Sequence, residues 1–265
     1  MSDQAKGWSK AAATYEQDFI DPYLPGVHNP LPRALEELAD PAHGTAADLG
    51  CGLGPLLPVL AKHFRRVIAV DFAEGMLQRA HERCRELPNV EFLHRPFTDL
   101  APLAGRLDVA VAVNSLVLPD VGELEAALRS IHAALRPGGR FVGIVPAMDA
   151  VHYYTMLLVD RARKAGMPAD KARQNAAHLG EHALYEFAFG GFRYRGIDQH
   201  FWQPFEVRYR LRRAGFRRVR LAKVELAWGQ FAGAADLKKE PPPWDWFFQA
   251  EKPKISRKDA KPAKG

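Results

Sequence analysis

Cysteine is almost absent from this 265-residue sequence, with Cys51 and Cys84 the only two. Two thiols cannot build a disulfide framework or complete a zinc site by themselves, so no metal is expected. Long hydrophobic runs are missing too. No stretch approaches the roughly 18 apolar residues of a spanning helix, and the opening Met1-Ser-Asp-Gln-Ala-Lys lacks the charged-then-apolar pattern of a secretory signal. Together these absences make a reducing cytoplasm the expected compartment, with no membrane partner. Internal repeats are lacking, which excludes solenoid architectures. What is present is ordinary for a globular protein: 47% hydrophobic and 26% charged residues, in a chain long enough to bury a sizeable core.

Charge is unevenly spread. Residues 1–150 carry 14 basic and 19 acidic side chains, net −5, whereas residues 151–251 carry 17 and 11, net +6. The last fourteen residues, 252–265, hold six basic side chains and one acid, net +5. That tail has a single large apolar residue, Ile255, and is expected to be disordered. The formal net charge of +6 is therefore mostly tail, and it says little about nucleic acid. A denser basic stretch runs from Phe205 to Lys223, where eight Arg and Lys face one acid, Glu206. It could meet RNA phosphates, although a solvated helix and strand face is the plainer reading.

From Thr45 to about Val145 short β-rich runs alternate with helical stretches. Thr45–Leu49, Arg66–Val70, Val90–Leu93, Leu107–Val113 and Arg140–Val145 read as strands, with helices from Pro55, through about Arg85, and over Val121–Leu135. This rhythm predicts a doubly wound, mostly parallel α/β sheet. Residues 149–200 read as a helical insertion without a clear strand. A helix over Phe205–Ala214 and strands at Arg217–Ala227 and Trp244–Gln249 follow, for seven strands in all. The expected organisation is one domain over residues 1–251: N-terminal helices (1–44), core (45–146), cap insertion (149–200) and a C-terminal helix and strand pair (201–251).

The first strand runs into Asp48-Leu-Gly-Cys-Gly-Leu-Gly54-Pro55. Glycine permits positive φ and lets a ligand approach the main chain without a Cβ in the way, and Pro55 suits a first helical turn. The dinucleotide fingerprint needs a sixth-position glycine, where Pro55 stands. Asp48 would repel a pyrophosphate and suits an ammonium group instead. Asp71, at the end of the second strand, is 21 residues after Gly50 and in place for ribose hydroxyls. These features point to an adenosine ligand that carries positive charge and no phosphate.

Residues 45–146 resemble the class I S-adenosylmethionine-dependent methyltransferases. Asp48–Gly54 is similar to the family's first motif, Asp71-Phe-Ala-Glu-Gly-Met-Leu77 to its second, Asn114-Ser115 to the stretch lining the methionine side, and Leu135-Arg-Pro-Gly-Gly139 to the turn before the fifth strand. The resemblance implies a Rossmann-like fold and S-adenosyl-L-methionine as cofactor, contacted by Asp48, Gly50, Cys51, Gly52, Gly54, Asp71, Phe72, Met76, Phe97, Asn114 and Ser115. It departs from the family at Pro96, where an acid usually meets the adenine amino group, which leaves the Phe97 backbone or Asp99 as replacements, and at Ala73, where Ser or Thr is usual.

The resemblance also implies methyl transfer by in-line attack, with a base needed only if the acceptor must lose a proton first. Candidates to cap the site are His28, His152, Tyr153, Tyr154, His178, His182, Tyr185 and His200, with His152, Tyr153 and Tyr154 foremost for the acceptor pocket. His178 and His182 share a helix face, without a zincin pattern around them. Trp8–Tyr23 resembles a lid folded over the cofactor. The expected acceptor is a small molecule, enclosed by the insertion. An RNA-modifying methyltransferase and a non-catalytic cofactor-binding protein are the alternatives.

Overall fold

The computed structural model describes residues 3–176, 189–194, 196–231 and 234–254. Five parallel strands, β1 (Asp40–Leu49), β2 (Phe64–Asp71), β3 (Val90–His94), β4 (Leu107–Val113) and β5 (Leu135–Pro146), are joined through α4 (Leu57–His63), α5 (Glu74–Cys84) and α6 (Val121–Ala134). β9 (Trp244–Glu251) inserts antiparallel between β5 and β8 (Arg217–Glu225), which gives the order β3-β2-β1-β4-β5-β9-β8. The chain winds one way from β1 to β3 and the other way from β4 onward. Its crevice therefore opens between the carboxyl ends of β1 and β4, where open α/β sheets hold ligands.

Both faces of the sheet are covered, as near-continuous apolar strands require. In β4, Ala110 and Ala112 pack toward α6 and α9 (Pro204–Arg213), while Val109 and Val111 pack toward α3 (Leu31–Glu37) and α4. α6 shows how local sequence sets an element. Asp120 caps its N-terminus by accepting from the Glu123 N–H at 2.8 Å. Leu124, Ala127, Leu128, Ile131 and Ala134 then recur at helical spacing and are all buried.

Two short N-terminal helices, α1 (Asp3–Ala11) and α2 (Tyr15–Asp18), lie beside the crevice, and α1 packs on α5. After β5 come α7 (Met148–Lys164) and α8 (Ala169–Ala176). The reading of 149–200 as strandless is corrected by a hairpin of β6 (Gly191–Tyr194) and β7 (Ile197–His200), which forms its own two-stranded sheet. Four-residue strands are too short for alternation to separate from a helical pattern. His178, His182, Tyr185 and the tail from Ile255 lie outside the described residues.

Candidate active site

Between β1 and α4 the chain turns sharply under β2. The Gly50 and Cys51 N–H groups both donate to Val70 O, at 2.7 and 3.0 Å. Gly50 has φ +72°, and a Cβ there would overlap Ser115 and stand 2.9 Å from Phe97 Cζ, so only glycine fits. Gly52 also has positive φ, +54°, but a Cβ there would meet nothing within 4 Å. Its space is open, as a cradle for a ligand requires. Beneath this loop the Asp71 carboxylate is pinned by two backbone donors, Gly52 N–H to Oδ2 at 2.9 Å and Ala73 N–H to Oδ1 at 2.8 Å. Burial raises its pKa, and those N–H groups hold the rise in check.

Two adjoining clefts open here. One, about 420 Å³, is lined by Trp8, Asp71, Phe72, Met76, Phe97, Ser115 and Val117. The other, about 660 Å³, is lined by Asp48, Cys51, Leu53 and Pro55 below and by the N-terminal segment, including Phe19, Asp21 and Tyr23, above. Tyr15, Gly50, Gly52, Val113 and Asn114 belong to both. Tyr15 and Phe19 stack at 4.8 Å, and Trp8 meets Phe19 at 5.4 Å, so one aromatic cluster roofs both spaces. Among the sequence candidates, Gly54 lines neither cleft and instead packs where a Cβ would meet Leu57 at 2.9 Å and Cys84 at 3.3 Å.

Charge in the clefts is of one sign. Asp48 is 3% exposed, and its carboxylate accepts no hydrogen bond from the described residues. Burial first, then the nearby Asp71, pushes its pKa up to about 7. Tyr23 is raised well above the usual phenol range by burial and by Asp48, Asp21 and Tyr15, and Tyr15 is pushed up to about 12 by burial, Asp71 and Asp21. A buried, unpartnered carboxylate beside an open glycine turn fits a ligand with an ammonium group, and a second carboxylate with its ring of apolar side chains fits a nucleoside. The residues present therefore suit S-adenosylmethionine.

Asp245, which lines neither cleft but holds Asn114 from behind, was not legible in the sequence. Asn114, at the end of β4, adopts φ +49° and donates from Nδ2 to Asp245 Oδ2 at 3.1 Å, while its Oδ1 is buried without a partner. Asp245 is 6% exposed, on β9, and burial lifts its pKa to about 7 against the bonds from Asn114 and the Ala147 N–H. The only sequence signal was a lone acid inside the aromatic strand Trp244-Asp245-Trp246.

The foremost acceptor-pocket candidates line neither cleft. Tyr153 donates from its hydroxyl to Pro241 O at 3.0 Å and packs on Trp244, and Tyr154 packs between Trp228 and Phe231. His152 is exposed on the same helix. α7 starts directly after β5, and its face toward the 228–241 segment takes both tyrosines. His200 is buried against Glu206, 3.1 Å away, and Trp202, and His28 is exposed and bridges through its backbone to Glu225. Of the two replacements for the missing adenine acid, Phe97 lines the smaller cleft, whereas Asp99 lines neither and pairs with Arg95 at 2.5 Å. Among the described residues no group of three potential metal ligands occurs, and no helix is long and apolar enough to cross a membrane.

A glycine cradle and two carboxylates at the switch point of a doubly wound sheet define a nucleoside-binding site of the Rossmann-like class. Residues 46–139 match the family model described as a methyltransferase domain. It is 38% identical over 95 residues to a demethylmenaquinone methyltransferase of Clavibacter sepedonicus, covering 36% of this chain and 38% of that protein. It is 33% identical over 110 residues to a 2-phytyl-1,4-naphtoquinone methyltransferase of Thermosynechococcus vestitus, covering 40% of this chain and 48% of that one. The chain thus spans under half the length of these relatives. Its fold is similar to that of the crystal structure of Burkholderia thailandensis 1,6-didemethyltoxoflavin-N1-methyltransferase, with TM-score 0.57 and 16% identity, over 95% of this chain and 86% of that one.

Proposed function

We propose that this chain binds S-adenosylmethionine and passes its methyl group to a small-molecule acceptor. The observation that carries the reading is the pair of adjoining clefts, one shaped for a nucleoside and the other compact and covered by the chain's own N-terminal segment. The names of the quinone-methylating relatives agree with a small acceptor.

When bound, the cofactor supplies an electrophilic methyl group on a sulfonium sulfur. Asp71 accepts hydrogen bonds from the ribose, Phe72, Met76 and Phe97 cover the base, and Asp48 faces the ammonium group. Trp8, Tyr15 and Phe19 exclude water. The protein's share of catalysis is alignment, since a methyl transfer between held partners needs little more. An RNA acceptor has less support, because Arg208, Arg210 and Arg218 of the basic stretch are engaged by Val219 O, Glu206 with Glu125, and Glu251.

Calorimetric titration with S-adenosylhomocysteine tests the cofactor assignment. Asp71→Ala should weaken binding by at least about tenfold, the worth of one or two lost hydrogen bonds to a charged group. Equal affinity in the variant would remove the cofactor assignment. Release of S-adenosylhomocysteine across small-molecule and RNA substrates tests the acceptor, and turnover on RNA alone would overturn the small-molecule reading.

A further inference from the structure

The larger cleft has a wall of acids and aromatic rings and no base. Glu16, Asp21 and Asp48 line it together with Tyr15, Phe19 and Tyr23, and no Lys, Arg or His stands among the described residues lining either cleft. Glu16 is paired with Arg83 at 2.7 Å. Among the described residues Asp21 and Asp48 have no such counter-ion. Asp21 is held in place at both ends: its N–H donates to Gln230 Oε1 at 2.8 Å, and its Oδ1 accepts from the Tyr23 N–H at 2.8 Å. Asp48 is buried, its carboxylate accepts nothing from the described residues, and it borders the same space.

We infer that the acceptor is an amine, recognised as its cation by Asp21 and the Tyr15–Phe19–Tyr23 ring wall; this rests on the methyltransferase reading above. Three physical arguments agree. Uncompensated carboxylates in a low-dielectric cleft attract a cation and repel an anion by several-fold to many-fold in affinity. Aromatic faces add to the attraction for an ammonium and give nothing to a carboxylate. The product fits the same wall. The bound ammonium first gives one proton to solvent water; the nitrogen lone pair so freed then takes the methyl group from a sulfonium donor, sulfur keeps the C–S bonding pair, and the positive charge passes to nitrogen. The alkylammonium so formed then loses its proton to water. A phenolate or carboxylate acceptor would instead approach against the field and end neutral. Asp48 serves the donor's ammonium group, so the acid set aside for the acceptor is Asp21, on a segment outside the methyltransferase motifs.

The test uses the full chain saturated with S-adenosylhomocysteine and two probes of one shape and opposite charge, benzylamine and benzoate, titrated by calorimetry at pH 7.5. Benzylamine should bind at least about tenfold tighter than benzoate. Asp21→Asn keeps the hydrogen bond to the Tyr23 N–H and should shrink that preference to a few-fold while leaving S-adenosylhomocysteine affinity unchanged. Equal binding of the two probes, tighter benzoate, binding of neither probe, or an unaltered preference in Asp21→Asn would each overturn the inference. Failure of S-adenosylhomocysteine itself to bind would instead remove the cofactor reading, which keeps the two failures apart.

Discussion

Asp48 and Asp71 are both carboxylates at the ends of neighbouring strands, yet their surroundings give them different chemistry. Asp71 has backbone N–H donors on both oxygens, while Asp48 has none and is pushed up to about 7 by burial and by Asp71. Only the ionised form of Asp48 attracts an ammonium group, so affinity for S-adenosylhomocysteine should fall as pH drops from 8 to 6. Asp48→Asn should bind more weakly at pH 8, by about tenfold, and show a flat profile over that range. Calorimetry at four pH values checks this, and a slope equal to that of the unaltered protein would reject the role given to Asp48. At this scale the sequence was informative where chemistry is local. The glycines at 50 and 52 and Asp48 act within one strand–turn–helix unit, and Asp71 ends the next strand, so their spacing carries their meaning. Asp245 reaches Asn114 across 131 positions, and no local pattern encodes a contact that β9 makes by inserting between β5 and β8.

Elements divide the same way. The runs Val67–Val70, Val109–Val113 and Phe141–Val145 within β2, β4 and β5 are apolar because both faces of the sheet are covered there, and such runs are readable. The hairpin β6–β7 has four residues a side, and the tyrosines of α7 turn toward a neighbouring segment, not the crevice, a choice fixed by tertiary packing. The N-terminal segment resembled a lid by its aromatic content, but its seat was not readable. α1 is held to α5 at a close approach: the Gly75 N–H donates to Ser9 Oγ at 3.3 Å, and a Cβ on Gly75 would stand 3.0 Å from Ser9 O. Gly75→Ala should therefore push α1, and with it Trp8, away from the smaller cleft. Helix α5 itself would gain from the change, by up to about 1 kcal/mol. The expected result is a cofactor affinity lowered about three- to tenfold with the thermal midpoint almost unmoved. Titration followed by tryptophan fluorescence, beside a thermal melt, separates this from general destabilisation. A melt lowered in proportion to the affinity loss would contradict a lid-specific effect.

For the whole molecule, Asp48 and Asp71 of the acidic half and Asp245 of the basic half are buried around the carboxyl end of one sheet, and all three have raised pKa values. A carboxyl near 3.9 in the unfolded chain and near 7 in the fold, as for Asp48 and Asp245, binds more protons when folded at any pH between. Its contribution to stability is fully present below the unfolded value and is lost as pH rises through about 7. His132 acts in the opposite direction, because burial and then Lys252 and Arg217 lower its pKa, so its contribution falls away as pH drops through 6.5. Glu91 and Glu206, whose pKa values are lowered, matter only below their ordinary value of 4.5. Two carboxyls, each raised to about 7, act over this range against one histidine, and they set the sign. The ligand-free protein should therefore melt at a lower temperature at pH 8 than at pH 5.5, and Asp48→Asn combined with Asp245→Asn should flatten that decline. Saturating S-adenosylhomocysteine should flatten it as well, since an ammonium beside Asp48 stabilises the ionised form that burial penalises. Melting curves at pH 5.5, 6.5, 7.5 and 8 with and without the ligand measure both effects. A midpoint that rises steadily with pH in the ligand-free protein would mean that these carboxylates are paired or solvated in solution, and the buried acidic end of the sheet would lose its part in cofactor binding.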